Sequence, residues 1–296
     1  MKLGIDPKVD YAFKKVFGSE SNIDLLTHLL EAVLGFTLSA VQIINPFNEK
    51  ETPDDKLSIL DIKARDASGR LFDVEMQMFP HVALVPRLIY YWAKLYTIQL
   101  EAAEDFSKLR PAYSICFINS RLFQRRPDVY LNQFLAFDRA TGEVLSDHFG
   151  LNIVELPKFT REVGEVVTPL ERWCYYFEHG ASLDPEKLPA TLDEPPMRKA
   201  MEVLMRMSQD AQERERYESR LKFRRDMQQI QADAAAATEK GMEKGMEKGS
   251  FQGEIKAFQF VLKQPPTPKQ DLEKMSVEEL QRLADELRQQ IERLSE

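Results

Sequence analysis

Residues 57–79, LSILDIKARDASGRLFDVEMQMF, constrain the fold more than any other stretch. They read as two strands around a short turn at Ala67-Ser68-Gly69. On the second strand Phe72, Val74, Met76 and Met78 share one face, and Asp73, Glu75 and Gln77 share the other. On the first, Leu57 and Ile59 lead into Asp61 and Lys63, while Ser58, Leu60, Ile62 and Ala64 take the opposite side. Successive strand side chains alternate faces, so one side of this hairpin is apolar and the other charged. A three-residue loop ending in a left-handed glycine is a common hairpin connection. It pairs Asp66 with Arg70, and counting outward sets Asp61 opposite Glu75 and Lys63 opposite Asp73. A bulge would slip that register by one.

Like charges directly opposite on paired strands repel. Two readings of the acidic face follow. A divalent cation between the carboxylates removes the repulsion, since Mg²⁺ and Ca²⁺ prefer carboxylate oxygens. Alternatively the face is solvated, with Lys63 neutralising Asp61 and Asp73. On spacing alone the solvated face is the preferred reading, because short motifs recur by chance.

The 296 residues suffice for one sizeable domain with appendages, or for two domains. No apolar run is expected to span a membrane, because Arg87 interrupts the most apolar segment. The opening MKLGIDPKVD lacks the apolar core of a signal peptide, and the expected location is cytoplasmic. Cys116 and Cys174 read as buried thiols, without CxxC spacing. The four scattered histidines form no zinc pattern. A net charge of -8 argues against simple electrostatic coating of nucleic acid, although a metal and a local basic patch can still bind it.

Residues 8–35 carry helical spacing through Phe13, Val16 and Phe17, then after Gly18 through Leu25, Leu26, Leu29, Leu30 and Val33. Asp10 precedes Lys14 by one turn, a stabilising pair. A strand is expected at 41–46, a polar loop at 48–55 and a helix at 82–103, with Arg87, Tyr91 and Gln99 lining one side. Further strands are expected at 113–119, 130–137 and 152–156, with a turn at Thr141-Gly142, and a short helix at 168–179. Helices before and after mixed strands place the domain in the α/β or α+β class.

Beyond residue 180 the composition shifts. LDPEKLPATLDEPP reads as a linker over 181–196, followed by a long polar helix over 197–240, whose interleaved charges suggest a solvated face or a coiled-coil flank. The repeat EKGMEKGMEKGS spaces Gly241, Gly245, Gly249 and Gly253 four apart. That register makes either a flexible linker or a smooth stripe for helix pairing, and pairing is the reading preferred here. Residues 254–296 are expected to form two amphipathic helices around QPPTPKQ, with Ser276 and Glu279 as a capping box.

Taken together the motifs are similar to a known family. DPKVDYAFKKVFG resembles the D-x-x-F-K-x-x-F-G signature of the Rpn family, recombination-promoting nucleases also described as PD-(D/E)XK nuclease family transposases. DDKLSILDIKARDASGRLFDVEMQ is similar to its L-D-I…G…(I/V)-E-M-Q block, and RLIYYWAKLYTIQL and KLRPAYSICFIN follow in order. The resemblance is strongest from Asp6 to Phe159. It implies an α/β, restriction-endonuclease-like mixed sheet flanked by helices over 1–180, with a helical C-terminal tail.

It also implies a site, which reverses that preference in favour of metal. Asp61 matches the first metal-binding aspartate and Glu75 the acid of the E-x-K element, with the Met76 carbonyl and Asp10 as further ligands. Gln77 stands where the wider superfamily carries lysine. Lys63 is a candidate for the missing cation, against an ordinary pair with Asp73. Arg87, Tyr91 and Gln99 would flank the site, touching substrate or holding the acids, with core packing the role expected first of Tyr91. The implied cofactor is Mg²⁺, with Mn²⁺ or Ca²⁺ as substitutes, and the implied activity is metal-dependent cleavage of DNA phosphodiesters. A homodimer through the glycine-repeat tail is the expected assembly. The competing reading is a catalytically silent nuclease fold that binds DNA or protein. A third makes the tail the functional element.

Overall fold

In the computed structural model, residues 3–44, 61–79 and 83–295 are described, with the backbone alone at Asp61 and at a few helical positions. The expected polar loop at 48–55, the hairpin positions 57–60 and the end of the 41–46 strand lie outside those residues.

Six strands form one mixed sheet in the order β1-β2-β3-β4-β6-β5. They are β1 (Gln42–Ile43), β2 (Asp61–Arg65), β3 (Leu71–Gln77), β4 (Ala112–Ile118), β5 (Leu131–Phe137) and β6 (Val144–Glu155). The first three pair antiparallel, β3, β4 and β6 run parallel, and β5 returns antiparallel along β6. Both faces of β3 are buried. Phe72, Val74 and Met76 join Tyr113, Ile115, Phe117 and Val154 under helices α1 (Asp10–Phe17), α2 (Ile23–Leu34), α4 (Pro169–His179) and α5 (Pro195–Gln209). The opposite face is covered by α3 (Leu84–Thr97), whose Leu84 and Leu88 meet Cys116, Ile118, Leu151 and Ile153. Parallel strands need such cover on both sides.

Local chemistry sets the breaks between elements. Gly18 ends α1 where an added Cβ would lie 2.8 Å from the Lys14 carbonyl oxygen and 3.5 Å from Ile62 Cγ1. A capping box between Thr168 and Glu171 starts α4. The helix expected over 82–103 stops at Thr97. Beyond it, Gln99 bridges the N–H and C=O of Arg110, and Ala103 takes a left-handed φ of 70°. The strand expected at 152–156 begins at Val144, because its first half is a half-exposed hairpin arm without an apolar run.

The region expected as a linker is packed structure. Leu192 is buried in the core, Thr191 accepts from Arg172 Nε at 2.8 Å, and its hydroxyl donates to the Val163 carbonyl at 2.8 Å. The single polar helix expected over 197–240 is two helices. Asp210 adopts an extended conformation and accepts from the backbone N–H groups of Gln212 and Glu213, stopping α5 and starting α6 (Ala211–Val261). The chain divides into compact units at residues 1–224 and 225–296. The first unit therefore continues past 180, since Met197, Ala200, Met201, Leu204, Met207 and Tyr217 belong to its core.

The second unit has its own core of Ile255, Leu272, Leu280, Ala284 and Leu287, drawn from α6, α7 (Lys269–Lys274) and α8 (Val277–Ser295). Ser276 and Glu279 form the expected capping box, each accepting from the other's backbone N–H. The four repeat glycines are helical, and a Cβ added to any of them meets nothing within 4 Å. No described helix is long and apolar enough to cross a membrane.

Candidate active site

The hairpin turn is built by Asp66. Its carboxylate accepts from Ser68 N–H, Ser68 Oγ and Arg70 N–H at 2.7–3.0 Å, and it pairs with the Arg70 guanidinium. Burial pushes this carboxyl up, but the bonds from Ser68 and Arg70 outweigh it and hold its pKa below the ordinary value. Gly69 at φ 86° closes the loop, a backbone conformation that glycine adopts without strain. The resulting register is the expected one, with Asp61 paired to Glu75 and Lys63 to Asp73, and no slip.

What periodicity does not reveal is that this charged face is buried. Asp73, Glu75 and Gln77 are 1%, 3% and 8% exposed. Register continues each into β4, placing Ser114 beside Asp73, Cys116 beside Glu75 and Ile118 beside Gln77. Carboxylates in such surroundings are costly unless charged or hydrogen-bonding partners meet them. Arg87, reaching down from α3, is one such partner. Its Nη2 donates to Glu75 Oε2 at 3.4 Å and hydrogen-bonds Gln77 Oε1, while its guanidinium stands over the Tyr91 ring. The Gln77 amide is held at its other end too, donating to the Phe79 carbonyl at 3.0 Å. The Nε of Arg87 is buried with no acceptor among the described residues.

The structure therefore brings together Glu75, Gln77, Arg87 and Tyr91, with Asp61 paired in register. Met76 has its side chain in the opposite core, which leaves its backbone as the group it can offer to the site. Gln99 does not share this cluster. It lies past the end of α3 with its amide on Arg110. Lys63 stands opposite Asp73, one row from Glu75, and the guanidinium on Glu75 is that of Arg87.

Asp10 makes an ion pair with Arg220 of α6 at 3.7 Å. Around it, Arg224 pairs with Asp6 at 3.1 Å, the Asp6 N–H donates to the Tyr217 hydroxyl, and Lys15 and Tyr11 both donate to Glu213. The start of α6, expected as a solvated face or a coiled-coil flank, is thus knitted to α1. No sequence signal identified this, because opposite charges far apart in the chain reveal their pairing only in the fold.

Among the described residues no three His, Cys, Asp or Glu side chains converge as a metal site. The donor set still fits a hard cation, since the backbone register pairs Asp61 with Glu75 and carboxylate oxygens are the ligands Mg²⁺ prefers.

A mixed sheet carrying an acidic antiparallel hairpin, flanked by helices on both faces, is a PD-(D/E)XK nuclease fold. The family profile for PD-(D/E)XK nuclease family transposases matches residues 7–234, and the chain belongs to that family. No curated protein and no solved structure gives a significant match.

Proposed function

We propose that the chain is a Mg²⁺-dependent DNA endonuclease whose site is the β2–β3 hairpin under α3. The observation that carries this reading is the in-register pairing of Asp61 with Glu75, beside a guanidinium held on Glu75 and Gln77. Asp61 and Glu75 would hold the ion, with the Met76 carbonyl and Asp10 as the additional ligands the family pattern implies. A bound divalent cation supplies a water of lowered pKa and stabilises charge on phosphoryl oxygens. Gln77, in place of lysine, brings hydrogen bonds but no charge. Arg87 supplies that charge from the neighbouring helix and orients both the Glu75 carboxylate and the Gln77 amide. Lys63 is a second candidate for that charge, standing across from Asp73. The proposed setting is cytoplasmic, in DNA recombination, mobile-element movement or phage defence, with a homodimer formed through 241–296.

The decisive experiment is cleavage of supercoiled plasmid by wild type, Asp61→Ala and Glu75→Ala, with Mg²⁺, Mn²⁺, Ca²⁺ or EDTA. Nicking that requires metal and both acids is expected. Cleavage retained by a folded Glu75→Ala variant would sink the assignment. One observation favours the alternative, a silent nuclease fold that binds DNA or protein. The Gln77 amide is held at both ends, by the Phe79 carbonyl and Arg87, so one N–H and one lone pair remain for a water and no charge comes with them. Absence of any metal-dependent cleavage by folded wild type would select that alternative.

A further inference from the structure

A second polar assembly stands at the same end of the sheet, on the same face as Glu75 and Gln77. Glu155 closes β6 and is fully buried, and Lys158 three residues on is equally buried. Their ion pair is 2.7 Å long. Lys158 Nζ also donates to the carbonyls of Phe123 and Arg126, at 2.9 and 2.7 Å. Glu155 accepts from the N–H groups of Leu122 and Phe123 and from Asn132 Nδ2. Every one of these bonds except the last ends on the loop at residues 121–126 or within the pair itself. Desolvating a lysine and a glutamate is expensive, and an apolar pair of the same size often stabilises as well or better. Holding one loop backbone in one geometry is what this arrangement achieves.

The loop carries Arg121, Arg125 and Arg126, all exposed. Arg121 donates to the Pro157 carbonyl at 3.2 Å, and no carboxylate pairs with any of the three among the described residues. Asp128 is the acid on the same loop. In a chain of net charge -8, three guanidiniums left to solvent on a pinned loop are a local reversal of sign. Their position is set by the sheet. Gln77, Ile118 and Glu155 lie side by side in register, so the clamp is two strand spacings, about 10 Å, from Gln77. The loop leaves β4 where the Asn119 N–H donates to the Gln77 carbonyl at 3.1 Å, and its Leu122 and Phe123 pack on the face that α3 covers.

We infer that the loop at 119–130 is a phosphate-contacting surface for the backbone of a nucleic acid lying across the hairpin site. Arg121, Arg125 and Arg126 take the phosphates, and the Glu155–Lys158 pair fixes their spacing. This rests on the nuclease reading for the identity of the ligand, but its test is separate. Binding of a fluorescent DNA duplex to the full chain is measured by anisotropy in EDTA, across a salt series. Each phosphate contact contributes a slope of about 0.9 in log Kd against log salt. Replacing the three arginines by alanine is expected to lower that slope by about 2 to 3 and to weaken binding roughly tenfold or more at moderate salt. The triple lysine variant should recover most of the slope. These side chains are exposed, so folding is not at stake.

An unchanged slope in the alanine variant overturns the inference, even if wild type cuts DNA, and the nuclease reading then survives alone. A reduced slope in a protein that never cuts supports the loop and removes the nuclease. Wild type that binds no duplex in EDTA overturns the loop inference, and metal-dependent plasmid cleavage then decides the nuclease reading by itself.

Discussion

A guanidinium 3.4 Å from Glu75 and hydrogen-bonded to Gln77 offsets buried negative charge and fixes the direction in which both side chains point. Replacing Arg87 by methionine keeps the packing against Tyr91 but removes the charge. About 1–3 kcal/mol of stability should be lost, the range for leaving buried hydrogen-bonding groups unmet. Cleavage should fall by roughly ten- to a hundredfold, in line with the loss of a partner that orients a metal-ligating carboxylate. Urea unfolding and plasmid nicking read the two effects independently. Arg87→Lys should recover part of the stability and less of the rate, because an ammonium cannot reproduce the planar donor fork. At this scale the acids were legible and their neighbour was partly so. Counting outward from a three-residue turn fixes Asp61 against Glu75, since hairpin register is a local property. Helical spacing put Arg87 and Tyr91 on one side of α3 but could not say which side faces the sheet. It also extended the helix to Gln99, which a turn and Arg110 take elsewhere.

Among the elements, the hairpin turn has a pH dependence whose sign follows from Asp66. Its pKa in the folded chain lies below the ordinary aspartate value of 3.8. The unfolded chain therefore takes up the proton first, and the stability Asp66 contributes is complete above pH 3.8 and lost as pH falls through the lower folded value. Asp66→Asn should cost about 1–2 kcal/mol near neutral pH, with the gap to wild type closing in acid, as thermal melts from pH 7 to 3 would register. The glycine repeat gives a second element-scale prediction. Because a Cβ meets nothing at these helical positions, alanine at Gly245 and Gly249 should raise helix stability by about 0.5–1 kcal/mol per site. If another helix packs on the stripe, the same changes would instead weaken self-association, which light scattering would detect. The repeat's helicity was open in sequence because glycine disfavours helix while its four-residue spacing suits one. The early half of β6 was hidden for a different reason, since a half-exposed strand with Ser146, Asp147 and His148 carries little apolar signal.

For the whole molecule, the division at 224 and 225 makes truncation informative. A chain ending at 180 loses Met197, Ala200, Met201, Leu204, Met207 and Tyr217 from the core. At about 1.5–3 kcal/mol for each of the five large apolar side chains among them, that is comparable to the whole stability of a typical domain, so the fragment should not fold. A chain ending at 240 retains all of these and should melt cooperatively near the temperature of the first unit in the full chain, by calorimetry. Composition misplaced this boundary. Proline and acidic residues around 184–196 look like a tether, yet Leu192 and the Thr191 backbone pin the segment to the core. The sheet class was more legible, because apolar runs and turn signals are local while the helices that complete the core are recruited from far along the chain.

Cys116 lies next to Glu75 in the sheet and Cys174 within α4, both free and buried. Burial pushes both thiols well above their ordinary pKa, Glu75 adding to it at Cys116 and Glu178 at Cys174. Since only the thiolate reacts, alkylation of either one must wait for its surroundings to open. The chain thus carries two built-in clocks. The labelling rate at Cys116 times the opening of the sheet beneath the acidic row, and that at Cys174 times the release of α4. Two equal rates would mean that the sheet and its helical cover part in a single event.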